Sequence, residues 1–341
     1  MNLSPSAVRR RAFWERPVVP TPPVDLGAMK VYRRSTFPAD GGPVPWLDQP
    51  DAEQQVAKRL ASRQITTDEA ELCRRWSRDG YLILEGFYPP SLMDQTWGEY
   101  EAAIAAGKAN PPAHPFYEGD PLPGRLLCPH LQVPAVDEML HEPRINHLLS
   151  VLLGAKAKPF QTIIGHKTSM QGEHSDSIHM TTYPAGYLAA TWIAYEDVDP
   201  DSGPLVYYPG SHKLPYLLSE DVDIPPTRNY DGYHARYEPA IQRQIAEHGL
   251  APEHFLARKG DLLIWHANLL HGGGKLRNDR LSRKALVCHY FAEGVISYHD
   301  IRGSLTDMQV GEGPHPKPAE PELDVPLPKR VWRSVLRAWR R

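Results

Sequence analysis

The segment Tyr187–Lys213, YLAATWIAYEDVDPDSGPLVYYPGSHK, decides the architecture. An apolar run from Leu188 to Tyr195 breaks before the turn cluster Asp201-Ser202-Gly203-Pro204, resumes from Leu205 to Tyr208, and turns again at Pro209-Gly210-Ser211. Short apolar and aromatic runs bounded by Gly, Pro, Asp and Ser have the length and punctuation of strands. Phe160 to Ile164, Leu262 to Trp265 and Ala285 to Phe291 have the same form. Short strands with turns between them predict an antiparallel sandwich or barrel, so the fold is mainly β.

Helices are expected upstream, flanking the sheet. Thr66 and Glu69 have capping-box spacing and open a short helix carrying Ala70, Leu72 and Trp76. Gly80 ends it, and Tyr81 to Leu84 reads as the first strand. A second helix runs roughly from Pro90 to Ala106, and residues 107–130 read as loop. A third helical stretch covers Val136 to Leu153, with Pro143 able to split or kink it and Gly154 as its stop. Prolines 17, 20, 22, 23, 38, 43, 45 and 50 argue against a long helix in residues 1–64. Those residues read as an extended arm over the body, with Trp14 and Trp46 as anchors and disorder as the rival reading. The main domain then spans 65–300, with 214–256 a lid or substrate loop. A C-terminal extension, 301–341, carries Lys329, Arg330, Arg333, Arg337, Arg340 and Arg341 with Val331, Trp332, Val335, Leu336 and Trp339 at helical spacing. Such a basic amphipathic helix suits either an anionic membrane surface, as a peripheral contact, or the protein's own body.

Bulk composition narrows the class. With 341 residues, 41% hydrophobic and 23% charged, the chain is expected to be soluble and globular, and a net charge of -3 gives no general attraction to nucleic acid. No run approaches the roughly 18–20 apolar residues of a membrane span. Arg9-Arg10-Arg11 is followed by no apolar stretch, so no secretory signal is expected. Cys73, Cys128 and Cys288 are far apart and odd in number, which predicts free, inert thiols and a cytoplasmic location.

Two segments carry the chemistry. Glu173-His174-Ser175-Asp176-Ser177 puts an imidazole and a carboxylate two residues apart, on one side of an extended chain. Gly260 to Gly274, GDLLIWHANLLHGGG, supplies a second imidazole after an apolar strand. His266 and His271 both lie there; the glycines after His271 let backbone approach the site and favour it. Two histidines and one carboxylate leave three positions open on an ion, as iron(II) oxygenases need to bind a cosubstrate and O2 side by side, although zinc hydrolases use similar ligands. Arg283, in Asp279-Arg280-Leu281-Ser282-Arg283-Lys284-Ala285, sits where it could pair with the distal carboxylate of 2-oxoglutarate. Arg280 competes for that role; the apolar run following Arg283 almost directly favours Arg283.

With these blocks in order, the chain resembles the phytanoyl-CoA dioxygenase family over roughly residues 65–295. The similarity rests on the segment His174–Lys213, on GDLLIWHANLLHGGG, on RLSRKALVCHYF and on the opening ITTDEAELCRRWSRDGYLILEGFY. The resemblance implies a double-stranded β-helix (jelly roll) with flanking helices, and iron(II) bound by His174, Asp176 and His271. It also implies 2-oxoglutarate bound by Arg283, with Trp192 lining the cosubstrate pocket, and a small-molecule substrate. A carboxylate at 176, where related halogenases carry Gly or Ala, implies hydroxylation or another hydrogen-abstraction outcome. His212, in the Pro-Gly-Ser-His turn, is expected to fix a loop; His266 and His289 are expected to be structural; His179 either faces substrate or fills space. Tyr183, Tyr187, Tyr207 and Tyr208 are expected in the core or at its rim.

Overall fold

A computed structural model describes residues 12–39, 42–108, 125–227 and 232–306. Apolar segments of the second half form a large antiparallel sheet. Its strands are β1 (Tyr81–Leu84), β2 (Leu126–Leu127), β3 (Ala157–Gly165), β5 (Leu188–Ala194), β8 (Leu262–His266) and β10 (Ala285–Ala292), in the order β1-β8-β5-β10-β3-β2. Facing strands make two three-stranded sheets. One is β7 (Glu253–Phe255), β6 (Leu205–Tyr207) and β9 (His271–Gly273), in that order; the other is β12 (Ser304–Leu305), β11 (Ile296–His299) and β4 (Thr181–Tyr183). The fold is a double-stranded β-helix with most of its described helices against the large sheet.

Strand alternation decides what each face of the large sheet meets. Leu262, Ile264, Leu286, Cys288, Tyr290 and Ile193 point outward and pack under helices in the largest apolar cluster. Ala190, Trp192, Ala194, Leu263, Trp265 and Ala285 point inward and form a second cluster with Leu205, Tyr207 and Phe255 of the facing sheet. Both faces are covered, so every residue of β5 and β8 is buried.

The helices are α1 (Ala52–Ala61), α2 (Thr67–Asp79), α3 (Pro90–Ala105), α4 (Pro134–Leu140), α5 (Pro143–Leu153) and α6 (Glu238–Glu247). The α2 capping box is formed, with Thr66 N donating to Glu69 Oε2 at 2.7 Å and Glu69 N to Thr66 Oγ1 at 3.2 Å. Gly80, at φ 79°, caps the other end. Pro143 splits the third helical stretch into α4 and α5 and occupies the first turn of α5, where its missing N–H costs nothing. Three expectations are corrected. The stretch after Pro50 is free of proline and forms α1, so residues 1–64 are not wholly irregular. Residues 214–256 are not simply a loop: a π-turn at Tyr233–Tyr237 leads into α6, and β7 follows. Residues 107–130 contain β2, which pairs with β3. The basic segment 329–341 lies outside the described residues, and no described helix is long and apolar enough to cross a membrane.

Residues 12–39 and 42–50 lie across the body. Trp46 is buried and its Nε1–H donates to Val151 O at 2.8 Å, while Trp14 meets His147 edge-on at 5.1 Å. Tyr187 Oη donates to Pro43 O at 2.9 Å, and Phe37 stacks on Tyr183 at 4.6 Å. Gly154 makes the Trp46 contact possible: its φ is 69°, and a Cβ there would stand 2.6 Å from Trp46 Cδ1. Gly154→Ala therefore combines a backbone penalty with a clash. It should lower the free energy of unfolding by about 2 kcal/mol, read as a lower urea midpoint with an unchanged slope.

Candidate metal centre

The centre begins with a backbone contact. His174 N donates to His271 O and His271 N to His174 O, both at 2.9 Å, a single antiparallel bridge on the free edge of β9. The glycines after His271 allow this approach: a Cβ at Gly272 would lie 3.0 Å from Gln171 O, and one at Gly273 2.8 Å from Met170 N. Ser175 is extended (φ -98°, ψ 149°), so His174 and Asp176 project to the same side. The segment is not a regular strand, however. Asp176 opens a 3-10 turn, Asp176–Ile178, and its carbonyl accepts from His179 N and Met180 N at 2.9 Å each.

One ligand atom from each of His174, Asp176 and His271 lies within 4.8 Å of the others, and all three residues are buried. His174 Nδ1 is 2.8 Å from Gly172 O and His271 Nδ1 is 2.9 Å from Leu269 O. A carbonyl can only accept, so Nδ1 carries the proton in each ring and Nε2 presents a lone pair. Burial, reinforced by His271 and His179, holds His174 well below the ordinary histidine range and keeps it neutral. Burial alone would raise the Asp176 carboxyl; His271, His289 and His174 together outweigh it and hold the group well below the usual range. Two imidazoles that present Nε2 and an ionised carboxylate at one buried point suit a divalent cation of the iron or zinc class.

A cavity opens from this point. Its wall includes His174, Asp176 and His271 together with Arg283, Trp192, Lys167, Gln171 and Arg125. Arg283, two residues before β10, is buried; its Nη1 donates to Gly203 O at 2.8 Å and its guanidinium stands 5.7 Å from the Trp192 ring centroid. Arg280 is exposed on the loop. His266 is directed elsewhere, with Nε2 3.1 Å from Asp48 Oδ2, and His212 packs beneath Gly80 with Nε2 3.3 Å from Ser77 O. His179 is 2.9 Å from the amide nitrogen of Gln171, a residue of the cavity wall. The segment 214–256 reaches the centre from outside: Tyr237 Oη accepts from Ser175 N at 3.2 Å, and Gln242 donates to Glu173 at 2.7 Å. Burial pushes the thiols of Cys73 and Cys288 up to about 12, which leaves them inert.

Two residues that approach the Asp176 carboxylate were not expected from the sequence. Trp265 donates its Nε1–H to Asp176 Oδ2 at 2.8 Å. His289, expected to be structural, lines the cavity with its Nε2 3.7 Å from the same oxygen. The signal for His289 was parity: Arg283, Ala285, Val287 and His289 alternate onto one face of β10 and its approach.

The geometry separates the two candidate histidines of the GDLLIWHANLLHGGG segment. His271→Ala should weaken binding of a divalent ion by roughly a hundredfold or more in calorimetric titration, whereas His266→Ala should leave it near the wild-type value and lower only thermal stability.

Residues 76–285 match the family described as phytanoyl-CoA dioxygenase (PhyH). The peroxisomal phytanoyl-CoA dioxygenase of Bos taurus is 31% identical over 147 residues, covering 41% of this chain and 39% of the relative. A probable phytanoyl-CoA dioxygenase of Caenorhabditis elegans is 27% identical over 187 residues, covering 53% and 54%. The matches thus span about half or less of the length of these relatives. Among solved structures, the fold is shared with a non-heme alpha ketoglutarate dependent carbocyclase, SnoK, from nogalamycin biosynthesis (TM-score 0.54, 15% identity, 74% of this chain and 93% of that one). It is also shared with EctD from S. alaskensis, solved with 2-oxoglutarate and 5-hydroxyectoine (TM-score 0.52, 18% identity, 74% and 89%). With the family match covering well over half of the chain and both motif segments meeting at one buried centre, the chain belongs to the phytanoyl-CoA dioxygenase family.

Proposed function

We propose that this chain is an iron(II)- and 2-oxoglutarate-dependent oxygenase that hydroxylates an unactivated C–H bond of a small organic or lipid-like molecule, releasing succinate and CO2. The observation that carries the reading is the shared cavity: three buried ligands at one point of its wall, and a buried arginine beside Trp192 at another. His174, Asp176 and His271 would hold the metal. Bound iron(II) supplies the chemistry, reducing O2 at the expense of 2-oxoglutarate to an oxidant able to remove a C–H hydrogen.

The chain's own residues do the rest. Arg283 presents a planar, permanently charged fork to the distal carboxylate of 2-oxoglutarate, held in orientation by Gly203 O and by the face of Trp192. The two histidines, fixed as Nδ1–H tautomers, commit only Nε2 to the ion. The covered sheet faces exclude water from the ligand side. Asp176 occupies a coordination position that chloride would need, which favours hydroxylation over halogenation. A hydrolase could use the same ligand set, but its chemistry does not require the buried guanidinium of Arg283 in the same cavity. Tyr237 and Gln242, seated against Ser175 and Glu173, would brace the His174 segment from outside the cavity.

Anaerobic addition of iron(II) and 2-oxoglutarate should produce the weak visible charge-transfer band of the chelate, near about 500 nm. Arg283→Ala should raise the 2-oxoglutarate Kd by about tenfold or more while iron affinity stays unchanged. Folded, iron-loaded protein that develops no band would overturn the reading.

A further inference from the structure

Beyond the three ligands, the large sheet presents a cross-strand row to Asp176. His289 on β10 pairs with Ala190 on β5, and Ala190 pairs with Trp265 on β8. All three are buried, and all lie on the inward face. The outer two are two strands apart, yet both reach Asp176 Oδ2: Trp265 Nε1 at 2.8 Å, His289 Nε2 at 3.7 Å. That oxygen therefore lies between two rings flanking an alanine, the smallest side chain that could stand there in a strand. Oδ1 lies on the other side, 3.7 Å from His271 Nε2. Trp265 also packs against the His271 ring, with centroids 4.9 Å apart.

We infer that Trp265 is a positioning residue which confines Asp176 to binding metal through Oδ1 alone. An indole N–H is a donor only, so a lone pair of Oδ2 is engaged whatever the protonation state of the surroundings. A carboxylate whose second oxygen is held in this way must strain or break the indole bond to turn and chelate, and a chelating Asp176 would fill one of the three positions that cosubstrate and O2 require. At 2.8 Å the hydrogen bond is charge-assisted, and in a buried site it is stronger than its counterpart in water. His289 does not substitute for it, because 3.7 Å is beyond hydrogen-bond reach. The inference rests on the assignment of Asp176 as a ligand.

The test uses cobalt(II), a spectroscopically visible stand-in, titrated into full-length Trp265→Phe and wild-type protein. Phe keeps a ring against His271 and removes the N–H. The variant should melt close to the wild type without metal, bind cobalt(II) about 10–100-fold more weakly, and show an altered visible d–d band. If Trp265→Phe does not fold, the benzothienyl analogue of tryptophan at this position, with sulfur in place of N–H, provides the same comparison at constant shape. An unchanged Kd with an unchanged band in the folded variant overturns the role of Trp265. Wild-type protein that binds no cobalt(II) overturns instead the ligand assignment beneath it.

Discussion

The structure depends on the pair of 2.9 Å backbone hydrogen bonds by which His174 and His271 grip each other. They join a segment that is otherwise outside any sheet to the edge of β9. In doing so they bring two imidazoles, with ring centroids 4.5 Å apart, and the carboxylate of Asp176 to one buried point. The contact brings main chain against main chain, and this is why glycine follows His271: a side chain at 272 or 273 would meet the main chain of residues 170–173. The rest of the fold is arranged around that junction. β6 supports β9 from one side, Tyr237 and Gln242 hold the His174 segment from outside, and the large sheet supplies the opposite wall.

What the sequence disclosed and what it concealed follow from the same physics. The cluster of His174 and Asp176 with a later histidine was legible because two-residue spacing on an extended chain has a fixed geometric meaning, and Arg283 stood out from Arg280 because it precedes an apolar strand almost directly. The α2 capping box, Gly80, the split at Pro143 and the five apolar strands were legible from local chemistry alone. Trp265 and His289 were not, since β5, β8 and β10 are covered on both faces and their alternation carries no contrast between polar and apolar residues. Counting in twos from Arg283 reaches His289; nothing comparable distinguishes Trp265 from a core tryptophan. Helix α1 was hidden by proline-rich neighbours, whose local effect was extended too far along the chain, and α6 lay in a segment read as a loop.

The arm shows how a segment with only short 3-10 turns becomes part of such a fold. Its side chains occupy sites the body keeps open: Trp46 above Gly154, Phe37 on Tyr183, Arg34 beside Asp221. Arg33 and Ser35 also bond to Ser219, Ile224 and Glu220, so the arm and the 214–256 segment share a seam. Each exposed ion pair in that seam contributes little alone. The buried aromatic contacts carry more of the attachment.

The three ligands are fixed by two different means. Each histidine directs its Nδ1–H to a carbonyl two residues earlier, Gly172 for His174 and Leu269 for His271, so the reactive tautomer is a property of the local chain. Asp176 has no such local device. Its backbone begins a turn, and its carboxylate is oriented by an indole that reaches it from across the sandwich. A short segment bearing His174 could keep its tautomer in isolation, whereas Asp176 acquires its orientation only when the two sheets close on each other. The precision of the centre is therefore set by sheet packing, and it is through Asp176 that an imperfection in that packing would first be felt at the metal.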